Sequence, residues 1–418
     1  MQNNVSSASV ELPNAATTNN PPLWMLSIIT LIASMAMHIF VPALPQVAEH
    51  FSSSSALAQL TLTAYIVGMG TGQMIYGPLS DRYGRRPVLM CGMLMFTLAS
   101  LVAFNAPTIE WLTAARLVEG LGAGAGLVLG RAIVRDCHEG EQATRMLSLL
   151  NLFLLTAPGL SPFVGSVLTE SFSWRAIFIM LIGMGCLNLA LTYFLLRETV
   201  RQREPSFKAV FKDYRILIRS ANFIRYSIAG GCTANSIYAF IGVSPFIFVH
   251  QLHRSPHELG LYLAINISGM AVGSFLTRRL VGRINSRTLL KVGNGLSCLS
   301  AAIFLVIAIW GKMTVWDVLA STFAFTTGAG MVSPITLSRA LNVNPHVSGS
   351  SSGFYGFCQQ LIGAACAALA SLGSNPAIAA SVTMLGAALI AQFCIAKSEA
   401  SLARASQPAP STQRNAND

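Results

Sequence analysis

Two ionisable side chains, Arg116 and Glu119, lie three residues apart in a stretch that carries no other charge from Trp111 to Gly130. On a helix this spacing puts both on one face, a turn apart, where opposite charges attract. Of the 16 carboxylate side chains, Glu119 alone falls well inside an apolar run; Glu110, Glu258 and Asp317 fall at the ends of runs, and the rest in connections or tails. A charge held in an apolar medium costs several kcal/mol unless it is paired or faces a water-filled cavity, so Glu119 is a functional candidate by default. The chemistry it offers is capture and release of a proton, or of a substrate that competes with one, beside a guanidinium. The plainer reading is a pair that only locks one helix to its neighbour. His38, inside the first apolar run, is a third candidate, because an imidazole ordinarily titrates near neutrality; its plainer reading is a satisfied polar residue.

Other chemistries find less support. The eight cysteines are scattered with no C-x-x-C spacing for zinc or redox work. His50, His250, His253 and His257 fall near the ends of runs, where such residues are common, and no metal site is expected. Gly120, Gly122, Gly124, Gly126 and Gly130 loosely match a dinucleotide fingerprint, but no strand precedes them, and small residues at four-residue spacing let helices approach closely. Gly349 to Gly353 matches G-x-S-x-G without the strand-turn-helix context of a hydrolase. Neither an enzyme nor a cofactor is expected.

The elements that must position these residues follow from composition. The 418 residues are 53% hydrophobic and 10% charged, with mean hydropathy +0.57, whereas charged residues make up roughly a quarter of a soluble globular chain. A surface facing lipid resolves this, and a bilayer crossing needs about 20 mostly apolar residues. Apolar runs near 23–42, 57–78, 87–105, 109–130, 144–168, 175–196, 224–248, 258–277, 288–310, 316–338, 350–371 and 377–396 predict an all-α membrane protein of 12 transmembrane helices. With the N-terminus inside, 23 of the 27 basic residues fall on the cytoplasmic side, as the positive-inside rule requires. Net charge +11 is then a topology signal and gives no reason to expect nucleic acid. The connection 197–223 divides the chain into halves 23–196 and 224–396, flanked by tails 1–22 and 397–418. Ile66 to Gly72 resembles Ile267 to Gly273 at an offset of 201, and Pro42 falls near Pro245. Two six-helix bundles follow, an arrangement in which transporters place the substrate between repeats near mid-membrane. By helical rise, His38 and Arg116 both lie roughly 6–11 Å from the outer boundary, with Glu119 about a turn deeper, so the three can share one cavity.

The most specific string is Gly77-Pro78-Leu79-Ser80-Asp81-Arg82-Tyr83-Gly84-Arg85-Arg86-Pro87. It resembles the signature loop of the major facilitator superfamily, G-x-L-x-D-R-x-G-R-R/K. The resemblance implies that Gly77, Asp81, Arg82, Gly84, Arg85 and Arg86 form a latch for the conformational cycle. The matching loop of the second half has Gly282 where Asp81 would fall, so an asymmetric latch is expected. The run Leu112 to Gly126 is similar to the family's fourth-helix pattern, with Glu119 in place of the usual Gln. Pro158, Pro162 and Gly165 resemble the fifth-helix antiporter motif as it stands in Bcr/CflA-type drug:proton antiporters. His38-Ile-Phe-Val-Pro-Ala-Leu-Pro45 resembles that subgroup's D-x-Y-x-P-A-L-P, with His in place of the acid.

These resemblances imply a major facilitator transporter in a bacterial inner membrane, both termini cytoplasmic, exporting small amphiphilic compounds or drugs in exchange for protons and functional as a monomer. Its partners are then a small-molecule substrate, protons and the lipid bilayer. A dedicated exporter of a metabolite or siderophore on the same fold is the alternative; a receptor or scaffold would not need a charge pair within the membrane. Glu119 is the first candidate for proton coupling, with Arg116 and His38 beside it. Tyr65, Asn151, Asn235, Tyr238, Asn266, Gln359 and Gln360 are candidates to line the cavity.

Overall fold

A computed structural model describes residues 21–138, 140–199, 207–343 and 348–405; the expected N-terminal tail falls almost wholly outside the described residues. Among them the chain is built of helices. The first half contains α1 (Leu23–His38), α2 (Leu44–His50), α3 (Ser55–Tyr83), α4 (Arg85–Phe104), α5 (Ile109–Cys137), α6 (Gly140–Ser171) and α7 (Trp174–Leu195). A short helix, α8 (Phe207–Arg219), lies in the central connection. The second half contains α9 (Ala221–Ala234), α10 (Tyr238–Pro245), α11 (Pro256–Leu280), α12 (Ser286–Trp310), α13 (Val315–Val343), α14 (Ser348–Ser371) and α15 (Pro376–Ala405). Counting α1–α2 and α9–α10 as one crossing each gives the 12 expected. Ten of these are apolar enough to cross a membrane by composition alone. Of the other two, α3 is long enough but interrupted by polar residues, and α6 is long and apolar by sequence, with several of its side chains outside the described residues; both lie where the halves meet.

Lipid-facing surfaces explain the apolar side chains left outside. On α4, Leu94, Leu98, Leu101 and Val102 are all about half exposed, as are Val306 on α12 and Phe393 on α15. In water such patches would drive aggregation; against acyl chains they match the solvent.

Within the first half α5 is central, packed on α3, α4 and α1; within the second, α13 packs on α11, α12 and α9. Without a hydrophobic drive between helices in lipid, close backbone approach has to hold them together. Gly120 supplies it: a Cβ there would sit 2.1 Å from the Tyr65 carbonyl oxygen of α3. The halves meet along two seams, α3 against α14 and α6 against α11. Each seam pairs the second helix of one half with the fifth of the other, as two related repeats facing one another require.

α8 crosses the α3–α14 seam near the end of α3 that leads into α4. The Tyr214 hydroxyl donates to the Met74 carbonyl of α3 at 2.9 Å, its ring lies 5.6 Å from that of Phe354 on α14, and Ser350 donates to Asp213 at 3.0 Å. Burial, with the nearby Asp213 and Asp81 carboxylates, pushes the Tyr214 phenol up to about 12. It therefore remains a donor throughout the physiological pH range.

Candidate functional site

Both halves break their first helix. α1 stops at His38, and the chain passes through a 3-10 turn, Val41–Ala43, into α2, with Pro42 and Pro45 removing two backbone donors. α9 stops at Ala234, turns at Asn235–Ile237, and resumes as α10, which passes at Pro245 into a π-helical turn, Phe246–Gln251. Interrupted helices at corresponding positions of two repeats are where transporters build substrate sites. Here the two breaks face one another across the seam: the His38 ring stands 6.5 Å from the Tyr238 ring, edge to face. His38 Nδ1 pairs with the Ser34 carbonyl at 2.8 Å. That carbonyl can only accept, so the proton is on Nδ1 in the neutral ring and Nε2 is left as the acceptor.

Behind His38 sits the charge pair. Arg116 Nη1 donates to Glu119 Oε2 at 2.8 Å, and neither side chain is exposed. The other carboxylate oxygen accepts from the Ser100 hydroxyl of α4 at 2.9 Å. Arg116 Nη2 donates to the Ala36 carbonyl of α1 at 3.2 Å, two residues before His38. The guanidinium is enclosed by two rings, its Cζ 4.2 Å from the centre of Tyr65 and 4.7 Å from that of Phe40; such contacts are worth about 2 kcal/mol or more when desolvated. Tyr65 is held by its own hydroxyl, which donates to the Ala33 carbonyl at 2.8 Å. A continuous set of contacts thus runs from Glu119 through Arg116 to the end of α1, and from there to the seam.

The second half offers amides. Asn235 donates to Gln360 Oε1 at 2.6 Å, and Gln360 Nε2 lies 3.7 Å from Met69 Sδ of α3, so Gln360 bridges the two halves. Gln359 donates to the Tyr355 hydroxyl at 3.3 Å, and that hydroxyl also pairs with Thr336. Asn235, Tyr238 and Gln359 are only half-buried despite their depth in the sequence of each helix, whereas Gln360 is buried. At the opposite end of the helices from the 77–87 loop, a cavity of about 690 Å³ opens between Pro45 and Glu49 of one half and Phe246 and His250 of the other.

Where α3 passes to α4, Arg85 pairs with Asp81 at 2.5 Å and with Asp136 of α5 at 2.9 Å. Glu198, just past α7, accepts from the backbone N–H groups of Arg85 and Arg86, capping α4 at its positive end. Arg86 donates to the Tyr193 carbonyl at 2.7 Å. Gly84 has φ +96°, and a Cβ there would lie 2.5 Å from the Glu198 carboxylate, so both backbone and space require glycine.

A family model described as Major Facilitator Superfamily matches residues 26–368. The chain belongs to the major facilitator superfamily. Among curated relatives of this major facilitator, "Multidrug resistance protein D" of Escherichia coli is 30% identical, covering 84% of this chain and 88% of that protein. The "Bicyclomycin resistance protein homolog" of Haemophilus influenzae is 24% identical, covering 87% and 92%. Among solved structures, a D-xylose-proton symporter superposes with TM-score 0.70 at 13% identity, over 88% of this chain and 96% of that one, which shows the shared fold.

The facilitator fold therefore gathers Arg116, Glu119, Tyr65 and His38 in the first half, and brings Tyr238, Asn235 and Gln360 to them across the seam. Gln359 lies one residue from Gln360 but turns to Tyr355. Asn266 is fully buried on α11, and its backbone carbonyl accepts from Thr326. Asn151 lies on α6 with its side chain outside the described residues. Pro158 and Pro162 are inside α6 at the second seam, where Phe163 meets Gly260 of α11; Gly165, on the same helix, packs within its own half against the Ile39 carbonyl just past α1. Arg82 is exposed beside Tyr83, its guanidinium 5.2 Å from that ring.

Three features escaped sequence reasoning. Gln59 and Gln73 are buried on α3, Gln59 near Gly242 of α10 and Gln73 against Gly356 of α14. Their separation of 14 residues, close to four helical turns, in a helix otherwise poor in amides was the available signal. The third is a second charged cluster, in which Glu399 of α15 pairs with Arg287 and Arg339 and accepts from Tyr226.

Proposed function

We propose that this facilitator exports small amphiphilic compounds, including drugs, in exchange for protons. The observation that carries the reading is the buried Arg116–Glu119 pair, tied through the Ala36 carbonyl to the broken end of α1 that faces Tyr238. Antiport requires a group whose protonation alternates with access to the two sides, and whose state is felt at the substrate site. Protonating Glu119 removes the charge that holds Arg116, and the contact from Arg116 to α1 passes the change to His38. The substrate is held by the seam's amides and rings and competes with the proton through this path. The resistance named for the relatives supports drugs as substrates.

In this reading Asp81, Arg82, Gly84, Arg85 and Arg86 act on the rate of alternation and not on binding. Pro158, Pro162 and Gly165 shape the second seam. Both termini are cytoplasmic, the membrane is the bacterial inner membrane, residues 23–196 and 224–396 are the moving halves, and one chain suffices for transport.

Expression in a bacterial host stripped of its efflux pumps tests the reading. Raised resistance to several chemically unrelated compounds is expected. Resistance to none of them, with export of a single cellular metabolite, would establish the dedicated exporter instead.

A further inference from the structure

The charges available at the seam point to the kind of molecule that can occupy it. We propose that the transported compound is electrically neutral when bound, and that the site discriminates against cations. This rests on the export reading above and specifies its substrate class.

Glu119 is the sole carboxylate deep within the spans, and its two oxygens are committed, one to Arg116 and one to Ser100. Ser100 is on α4, which packs on α3, α5 and α7 within its own half. The carboxylate therefore points away from the second half, against Arg116, whose guanidinium is in turn enclosed by the rings of Phe40 and Tyr65. The pair brings no net charge. What reaches across the seam is His38, Gln59, Gln73, Asn235, Tyr238 and Gln360, all uncharged when the imidazole is neutral. Of the α6 side chains that fall outside the described residues, only Glu141, in the first turn of the helix and far in sequence from Pro158 and Pro162, is charged; the others are uncharged by sequence.

A cation entering this space would lose its hydration with no carboxylate to replace it, a cost that far exceeds one contact with a Tyr ring. A neutral molecule with amide or hydroxyl groups loses much less. Each seam carboxamide presents both donors and an acceptor, so it can satisfy either polarity. An electrical consequence follows: exchanging a neutral compound for a proton moves one positive charge inward per proton, so membrane potential alone must drive export.

The test uses the full-length protein in proteoliposomes and an isosteric pair of aryl probes, one bearing a tert-butyl group and the other a trimethylammonium group. Under an imposed proton gradient the neutral probe should be carried at least tenfold faster than the cation. A potassium diffusion potential without a pH difference should also drive it. His38→Asp and Gln360→Glu each put a carboxylate at the seam and should narrow the gap from opposite sides of it. Equal transport of the two probes by the unmodified protein overturns the inference while export stands. Transport of neither probe removes the export reading, and this inference with it.

Discussion

The two halves share one plan and divide the chemistry between them. At mid-membrane the first half holds an ion pair, Arg116 with Glu119, bolted to α1; the second half, in the facing position, holds Asn235 and Gln360 and no charge. At the ends where α3 passes to α4 and where α15 finishes, the contrast is of another kind. Both halves build charged clusters, but from different sources: the first takes its central arginine, Arg85, from the start of α4 and acids from α3 and α5, while the second takes one acid, Glu399, from α15 and arginines from α12 and α13. Glu399 is 201 positions after Glu198, and Arg287 is 201 after Arg86, whose backbone N–H Glu198 caps. The repeat has thus kept the acid at the end of its sixth helix and lost the one in its loop. At mid-membrane the ion pair lies in one half and the Asn235–Gln360 hydrogen bond in the other, and the proposed antiport uses this division, one half for the proton and the other for the substrate.

Removing the arginine should have the largest effect. Arg116→Ala strands Glu119 in an apolar site, and breaking a buried pair in this way costs about 3–5 kcal/mol. Loss of both proton-driven and downhill transport is expected, with a lower unfolding temperature in detergent. If Arg116→Ala transports normally, the pair is not central, and the contrast between the halves loses its meaning.

A smaller effect is expected at the charged clusters around Arg85 and Glu399. Asp81→Asn and Glu399→Gln should each slow transport by about tenfold, close to 1.4 kcal/mol on the barrier, while equilibrium binding of substrate changes little. If only Asp81→Asn has an effect, the second cluster is not a counterpart of the first. If binding falls as far as transport, neither cluster acts on the conformational cycle.

Much of this could be read from the sequence because lipid imposes long apolar periods. The spans, the offset of 201 and the isolation of Arg116 and Glu119 in an apolar run are all local patterns. The cluster at Glu399 was not legible, because its partners Tyr226, Arg287 and Arg339 come from helices that only the fold brings together, and Gly282 in place of an acid suggested only an asymmetric latch. The connection 197–223 concealed α8, whose alternation of Lys and Arg with apolar residues is too short to stand out beside the spans. Gln59 and Gln73 were passed over because amides in a polar-interrupted helix do not reveal which face meets a partner.

The central claim is that Glu119 is the proton-linked group, and pH-driven uptake into everted membrane vesicles tests it most directly. Glu119→Gln should abolish uptake driven by a pH gradient while leaving downhill exchange of a neutral substrate, and His38→Ala should retain gradient-driven uptake. Full proton-driven uptake by Glu119→Gln, with its loss in His38→Ala, would contradict the account and assign coupling to the histidine at the end of α1.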